Sequence, residues 1–181
     1  IALRRLVEIV AGFRANDAAT ALAEAVSGSR RAFGVRMNAM GARMCLSNTR
    51  FLVEYGIWPP GQITTARDAA AIARHIVHDF PQQLPLFAAP VIDVDGRVRR
   101  NTLDTLGPDI DGLTTTYARE PGFGGVFTAE RDGVRLIVVI FGARDAEARR
   151  RMLAELLEGG FSIADPLARA APPRLDGCPA S

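Results

Sequence analysis

Asp111-Gly-Leu-Thr-Thr-Thr-Tyr117, Gly122-Phe-Gly-Gly-Val-Phe-Thr-Ala129 and Arg135-Leu-Ile-Val-Val-Ile-Phe141 are three runs rich in β-branched and aromatic residues. The last two are split by Asp132-Gly133, a pair that supplies the positive backbone dihedrals of a tight hairpin, so the stretch predicts consecutive antiparallel strands. The third run is continuously apolar from Leu136 to Phe141, which calls for cover on both faces and a place inside the sheet.

Working outward, Asp145 opens a helix carrying Ala148, Met152, Leu153, Leu156 and Leu157 on one side, ended by Gly159-Gly160 and covering a face of the sheet. Residues 164–181, rich in Pro, Ala and Gly, lack periodicity and read as a disordered tail. Upstream, Val91–Val94 and Arg97–Arg99 flank Asp95-Gly96 as a peripheral hairpin, preceded by a proline-punctuated loop over 81–90. Thr65 caps a helix from Ala66 to Asp79, and residues 47–65 form a loop with an extended Trp58-Pro59-Pro60-Gly61 segment.

Three helices come first. Leu3, Leu6, Val7, Val10 and Phe13 define one over residues 2–13, and Asn16 or Asp17 caps the next, which stops near Gly28. Phe33, Met37, Met40 and Met44 form a core-packing stripe on a third, from Ser29 to Met44. Helices followed by strands and a covering helix make an α+β architecture.

Composition narrows the chemistry. The 181 residues, 48% of them hydrophobic, suffice for one domain with a core, and a net charge of +2 gives no argument for nucleic acid. All 22 basic residues are arginine and none is lysine, so no lysine base is available within this polypeptide. Cys45 and Cys178 are too few for a disulfide framework, and Cys45 reads as a small hydrophobe. No apolar run reaches the length of a membrane helix, and no secretory leader precedes the first helix. His75 and His78 lie three apart without a third ligand at metal spacing, so they read as a solvated helix face and no metal site is assigned. Ser27, Ser29, Ser47 and Ser162 have no histidine placed beside them for a serine triad.

An ordered set of short motifs resembles the serine-type D-alanyl-D-alanine carboxypeptidases, the low-molecular-mass penicillin-binding proteins. It comprises Ala15-Asn16-Asp17-Ala18, Met37-Asn38, Asn48-Thr49-Arg50-Phe51, Gly56, Pro60-Gly61, Thr65-Ala66-Arg67-Asp68, Asp111-Gly112-Leu113, Gly122-Phe123 and Arg131-Asp132-Gly133, and the likeness covers residues 1 to 161. It implies part of a β-lactamase/transpeptidase-like fold: a helical subdomain, then an antiparallel sheet with a covering C-terminal helix, over residues 1–163. It also implies an activity, removal of the terminal D-alanine from peptidoglycan stem peptides by serine acyl transfer, in the periplasm or cell envelope and without a cofactor.

Set against that family's motifs, the site is degenerate. Ser-x-x-Lys is absent from these residues, and the chain begins just before the second motif, as expected of a fragment. The serine of Ser-x-Asn is replaced by Arg14, leaving Asn16; Lys-Thr-Gly is replaced by Thr114, Thr115 and Thr116. Arg149 falls where the family has an arginine near the substrate's terminal carboxylate, and it equally suits a solvated helix face. The expectation is an inactive polypeptide. The alternative is a non-catalytic subunit that binds D-alanine-ended peptides through Arg149 and Thr115, or completes another chain. Without the family's amino-terminal strands, exposed sheet edges should promote association.

Overall fold

The computed structural model describes residues 1–54, 59–94, 96–101, 103, 106–119, 122–164 and 175. Among these residues six α-helices and five strands occur, all but α5 in the predicted order: α1 (Leu3–Phe13), α2 (Asn16–Ser27), α3 (Arg30–Arg43), α4 (Ala66–Asp79), α5 (Leu84–Ala88), β1 (Val91–Val94), β2 (Arg97–Arg100), β3 (Ile110–Ala118), β4 (Gly122–Arg131), β5 (Val134–Ala143) and α6 (Ala146–Ile163). β1 and β2 form a separate antiparallel pair, and β3, β4 and β5 form a three-stranded antiparallel sheet in that order. The Asp95 half of the predicted hairpin turn, Trp58 and most of the predicted tail, Cys178 included, lie outside the described residues.

Local chemistry explains most boundaries. Asp132 (φ 51°) and Gly133 (φ 78°) make the β4–β5 turn with the two positive dihedrals that an Asp-Gly hairpin requires. Thr65, Ser29 and Asp145 each accept a hydrogen bond from the amide three residues on, at 3.1, 3.1 and 2.6 Å, satisfying an otherwise orphaned helix donor. α2 departs from expectation: it begins at Asn16 with Ala15 as its N-cap and no side-chain cap. Asp17 instead accepts from the amide of Ala18 within the first turn, at 2.8 Å.

The main core lies between the sheet and α6, where Phe127, Ala129, Val138 and Ile140 meet Leu153 and Leu157. A second cluster, Ala73, Leu84 and Leu113, forms where α4 and α5 pack on the opposite face. β5 is therefore covered on both faces, as its apolar run requires, but it is an outer strand of the described sheet and not an interior one. An unbroken apolar run reports two covered faces; it carries no information about how many strands lie alongside.

Other expectations change in detail. Residues 81–90 hold a short 3₁₀ turn, Pro81–Gln83, and α5, because proline is tolerated in a first helical turn. α6 runs through Gly159 and Gly160 to Ile163, with Gly160 lying against Leu136, where a β carbon would collide. On it Leu153 and Leu157 are buried while Met152 and Leu156 face outward, 39% and 49% exposed. The α3 methionine stripe is not core: Phe33, Met37 and Met44 are half-buried, Met40 is exposed, and the buried positions are Gly34 and Gly41. Cys45 has the strained positive φ (61°) expected after a helix, but it is disulfide-bonded and not a free apolar thiol. His75 is buried, with Nδ1 2.8 Å from an Asp79 carboxylate oxygen that the sequence reading left out, and only His78 is exposed.

Candidate functional site

The end of α1, the start of α2 and the outer strand β3 enclose a groove of about 510 Å³. Five of the six sequence-selected residues line it: Arg14, Asn16, Thr114, Thr115 and Thr116. Arg149 does not line it.

Arg14 is the C-cap of α1, in the left-handed region (φ 55°, ψ 35°), with its amide donating to the Val10 carbonyl. A non-glycine residue there carries a conformational cost and is held by its surroundings. What holds the side chain is β3: Arg14 Nη1 donates to Thr115 Oγ1 at 2.8 Å. Thr114 turns its hydroxyl to the Thr115 carbonyl (3.2 Å), and Thr116 is exposed at the groove's rim.

β3 is positioned by its partner strand. Thr115 stands opposite Gly125 and Thr116 opposite Gly124. These glycines are obligatory for space, since a β carbon on Gly125 would sit 2.6 Å from the Thr114 carbonyl and one on Gly124 would run into the Ile140 carbonyl. The base of β3 is pinned by Asp111, which accepts from Thr128 Oγ1 at 2.7 Å and pairs with Arg135 at 2.7 Å.

Arg149 comes from the far face. It projects from α6, is 9% exposed, and donates from Nη1 to the Gly124 carbonyl at 3.3 Å. Its Nε is buried with no hydrogen-bond partner. Burial pushes the Arg149 guanidinium below its ordinary range; burial and then the like charge of Arg149 do the same to Arg14. Two guanidinium groups are thus anchored on adjacent rungs of the β3–β4 ladder, one in the groove and one behind it. The solvated-face reading of Arg149 does not stand.

Sequence reasoning missed Glu54, which lines the groove with its side chain 2% exposed. It accepts from Thr20 at 2.8 Å and pairs with Arg30 at 2.6 Å. No spacing rule signals it, because its partners, Thr20 on α2 and Arg30 on α3, lie 34 and 24 residues away. The apolar walls are Val10, Ala11, Ala19, Phe87 and Leu113, of which the sequence singled out Val10 by helical spacing and Leu113 within Asp111-Gly112-Leu113.

Among the described lining residues Glu54 is the one carboxylate, and no histidine or lysine is present. The Thr115 hydroxyl accepts from a guanidinium that keeps its proton, and Glu54 is neutralised by an ion pair. Asn16 offers an amide and the three threonines offer hydroxyls, groups that donate and accept hydrogen bonds. Among the described residues no group of three or more His, Cys, Asp or Glu is close enough to share a metal.

The family model of D-alanyl-D-alanine carboxypeptidase, peptidase family S11, matches residues 1–145, and the chain belongs to that family. Among curated relatives, D-alanyl-D-alanine carboxypeptidase DacC of Escherichia coli is 31% identical over 150 residues, 81% of this chain and 37% of the relative. DacA of Haemophilus influenzae is 31% identical over 164 residues, 88% of this chain and 41% of the relative. Penicillin binding protein 5 from Haemophilus influenzae superposes with a TM-score of 0.84 at 28% identity, over 90% of this chain and 48% of that one. Penicillin binding protein 6B from Escherichia coli gives 0.84 at 29% identity, over 89% and 52%. The fold is the penicillin-binding, β-lactamase-like one, and the chain spans well under half the length of these curated relatives.

Proposed function

We propose that this polypeptide does not hydrolyse D-alanyl peptides by itself and that its groove serves as a binding site for a peptide ending in D-alanine, the peptidoglycan stem peptide of a bacterial cell envelope. The observation that carries this reading is the 2.8 Å bond from Arg14 to Thr115. Where the family resemblance places a serine able to relay a proton, a permanent cation stands in the groove, and it engages the one motif hydroxyl that survives. Acyl transfer needs a nucleophile and a group that takes up its proton. Neither is offered by the described lining, whereas the hydroxyls, the Asn16 amide and the positive charge all suit recognition. Any sequence flanking these residues would still meet Arg14 and Thr114 in place of serine and lysine.

The test is incubation with a fluorescent penicillin followed by denaturing electrophoresis, beside titration with N-acetyl-D-Ala-D-Ala. An unlabelled band with saturable peptide binding supports a binder. A covalently labelled band overturns it.

A further inference from the structure

A second cavity, of about 630 Å³, opens between α3 and residues 50–54 and has Glu54 as a wall in common with the groove. We propose that it is a binding site for a phosphate monoester, whose phosphate is held between Arg31 and Arg50. The site stands apart from the peptide reading of the groove, and neither depends on the other.

Charge is the first observation. Among the described lining residues Arg30, Arg31 and Arg50 are basic and Glu54 alone is acidic. Arg30 and Glu54 pair at 2.6 Å and cancel, so Arg30 is no part of the site. Neither Arg31 nor Arg50 has an acidic partner among the described residues, and both are exposed to solvent. Two like charges from different elements thus meet one cavity with no anion to offset them, an arrangement that a bound anion stabilises. A planar guanidinium fork matches phosphate oxygens, and a pair of them matches the charge of about −1.5 to −2 that a phosphate monoester carries at pH 7.

The second observation is that the backbone beneath both arginines is held. Arg31 stands in the first turn of α3, which Ser29 caps by accepting from the Ala32 amide at 3.1 Å. The Arg50 backbone exchanges hydrogen bonds of 2.9 and 3.2 Å with Ile63. Phe51, next along, donates its amide to Asn38 Oδ1 at 2.9 Å and accepts from Asn38 Nδ2 at 2.7 Å, which ties this loop to α3. Groups on a fixed backbone lose less freedom when a ligand binds. The third observation is an apolar wall: Val35 and Leu52 line the same cavity and are 67% and 38% exposed. An apolar group attached to the phosphate would cover them, so an organic phosphate fits better than the inorganic ion.

The experiment is calorimetric titration of the full chain, in phosphate-free buffer with 0.15 M salt, against phenyl phosphate, inorganic phosphate and phenol. Saturable binding of phenyl phosphate is expected, weaker binding of inorganic phosphate, and none of phenol. Arg31→Gln and Arg50→Gln should each weaken phenyl phosphate by about tenfold or more, the loss that goes with one charge-assisted hydrogen bond. Arg36→Gln removes an exposed charge from α3 outside the cavity lining and should change the affinity by less than about twofold. Circular dichroism melts confirm that each variant is folded. Cosedimentation with phosphatidic acid vesicles, and not with phosphatidylcholine, that phenyl phosphate displaces would make the ligand a lipid headgroup; its absence beside phenyl phosphate binding would make it a soluble ester. A folded wild type that does not bind phenyl phosphate overturns the site. So does a loss in Arg36→Gln equal to that in Arg31→Gln and Arg50→Gln, which would mean attraction to net charge alone.

Discussion

Nη1 of Arg14 lies 2.8 Å from Oγ1 of Thr115, a hydrogen bond between residues 101 positions apart that ties the end of α1 to the middle of β3. It joins the helical part of the molecule to the sheet at the groove. The same bond fixes the charge of the groove, because the donor is a guanidinium that does not release its proton.

Behind that contact, Arg149 is a buried cation with an unsatisfied Nε, held by one 3.3 Å bond to a carbonyl. Such a group is costly to fold around, and replacing buried ionic groups by apolar residues of similar volume is often neutral or stabilising, by about 1–4 kcal/mol. Arg149→Met is expected to leave the urea midpoint unchanged or to raise it. A fall worth more than about 1 kcal/mol would show that the Gly124 contact outweighs the cost of burying the charge.

The two leucines of α6 separate packing from mere apolarity. Leu153 is 1% exposed against the sheet, so Leu153→Ala should cost about 2–5 kcal/mol. Leu156, 49% exposed, should change stability by no more than about 0.5 kcal/mol when replaced by alanine. Denaturant unfolding of the pair checks this, and equal losses would mean that the exposed side of α6 is covered in solution.

Glu54 makes stability depend on pH. Burial pushes its carboxyl up, but the backbone bond, Thr20 and Arg30 together outweigh burial and hold it below the ordinary glutamate value of 4.5. The unfolded chain therefore takes up this proton first, so the contribution is complete above that value and is lost as pH falls below it. Glu54→Gln should melt lower than wild type at pH 7, with the gap narrowing steadily in acid. A gap independent of pH would assign the loss to packing alone.

Glycines 125 and 159 should respond in opposite directions. A β carbon on Gly125 meets the Thr114 carbonyl at 2.6 Å, so Gly125→Ala forces the strands apart and should cost about 1–3 kcal/mol. Gly159 sits inside α6 with open space around it, and Gly159→Ala should stabilise by about 0.5–1 kcal/mol. Thermal melts of the two variants give the comparison, and a tolerated Gly125→Ala would contradict the close approach of β3 and β4.

Local chemistry was legible where a single residue type settles a backbone conformation. The Asp132-Gly133 turn, the Thr65 and Asp145 caps and the bounds of α4 follow from side chains acting within three or four residues of themselves. Reading failed where a residue's surroundings come from elsewhere in the chain. The Met40 stripe looked like core, yet α3 packs mainly on α2 and turns Gly34 and Gly41 inward. Gly159-Gly160 looked like a stop signal, yet α6 continues to Ile163, with Gly160 lying against the Leu136 side chain from β5.

For the site the division is sharper. That the chain has no lysine, and that Arg14, Thr114, Thr115 and Thr116 stand where the resemblance puts the family's serine and Lys-Thr-Gly residues, could be read from the string of residues, since chemical identity needs no coordinates. That Arg14 meets Thr115, that Arg149 stays behind the strand, and that Glu54 closes the groove wall were decided only by tertiary structure. Each depends on which surfaces pack together over separations of 101, 25 and 24 residues, and no local spacing encodes those encounters.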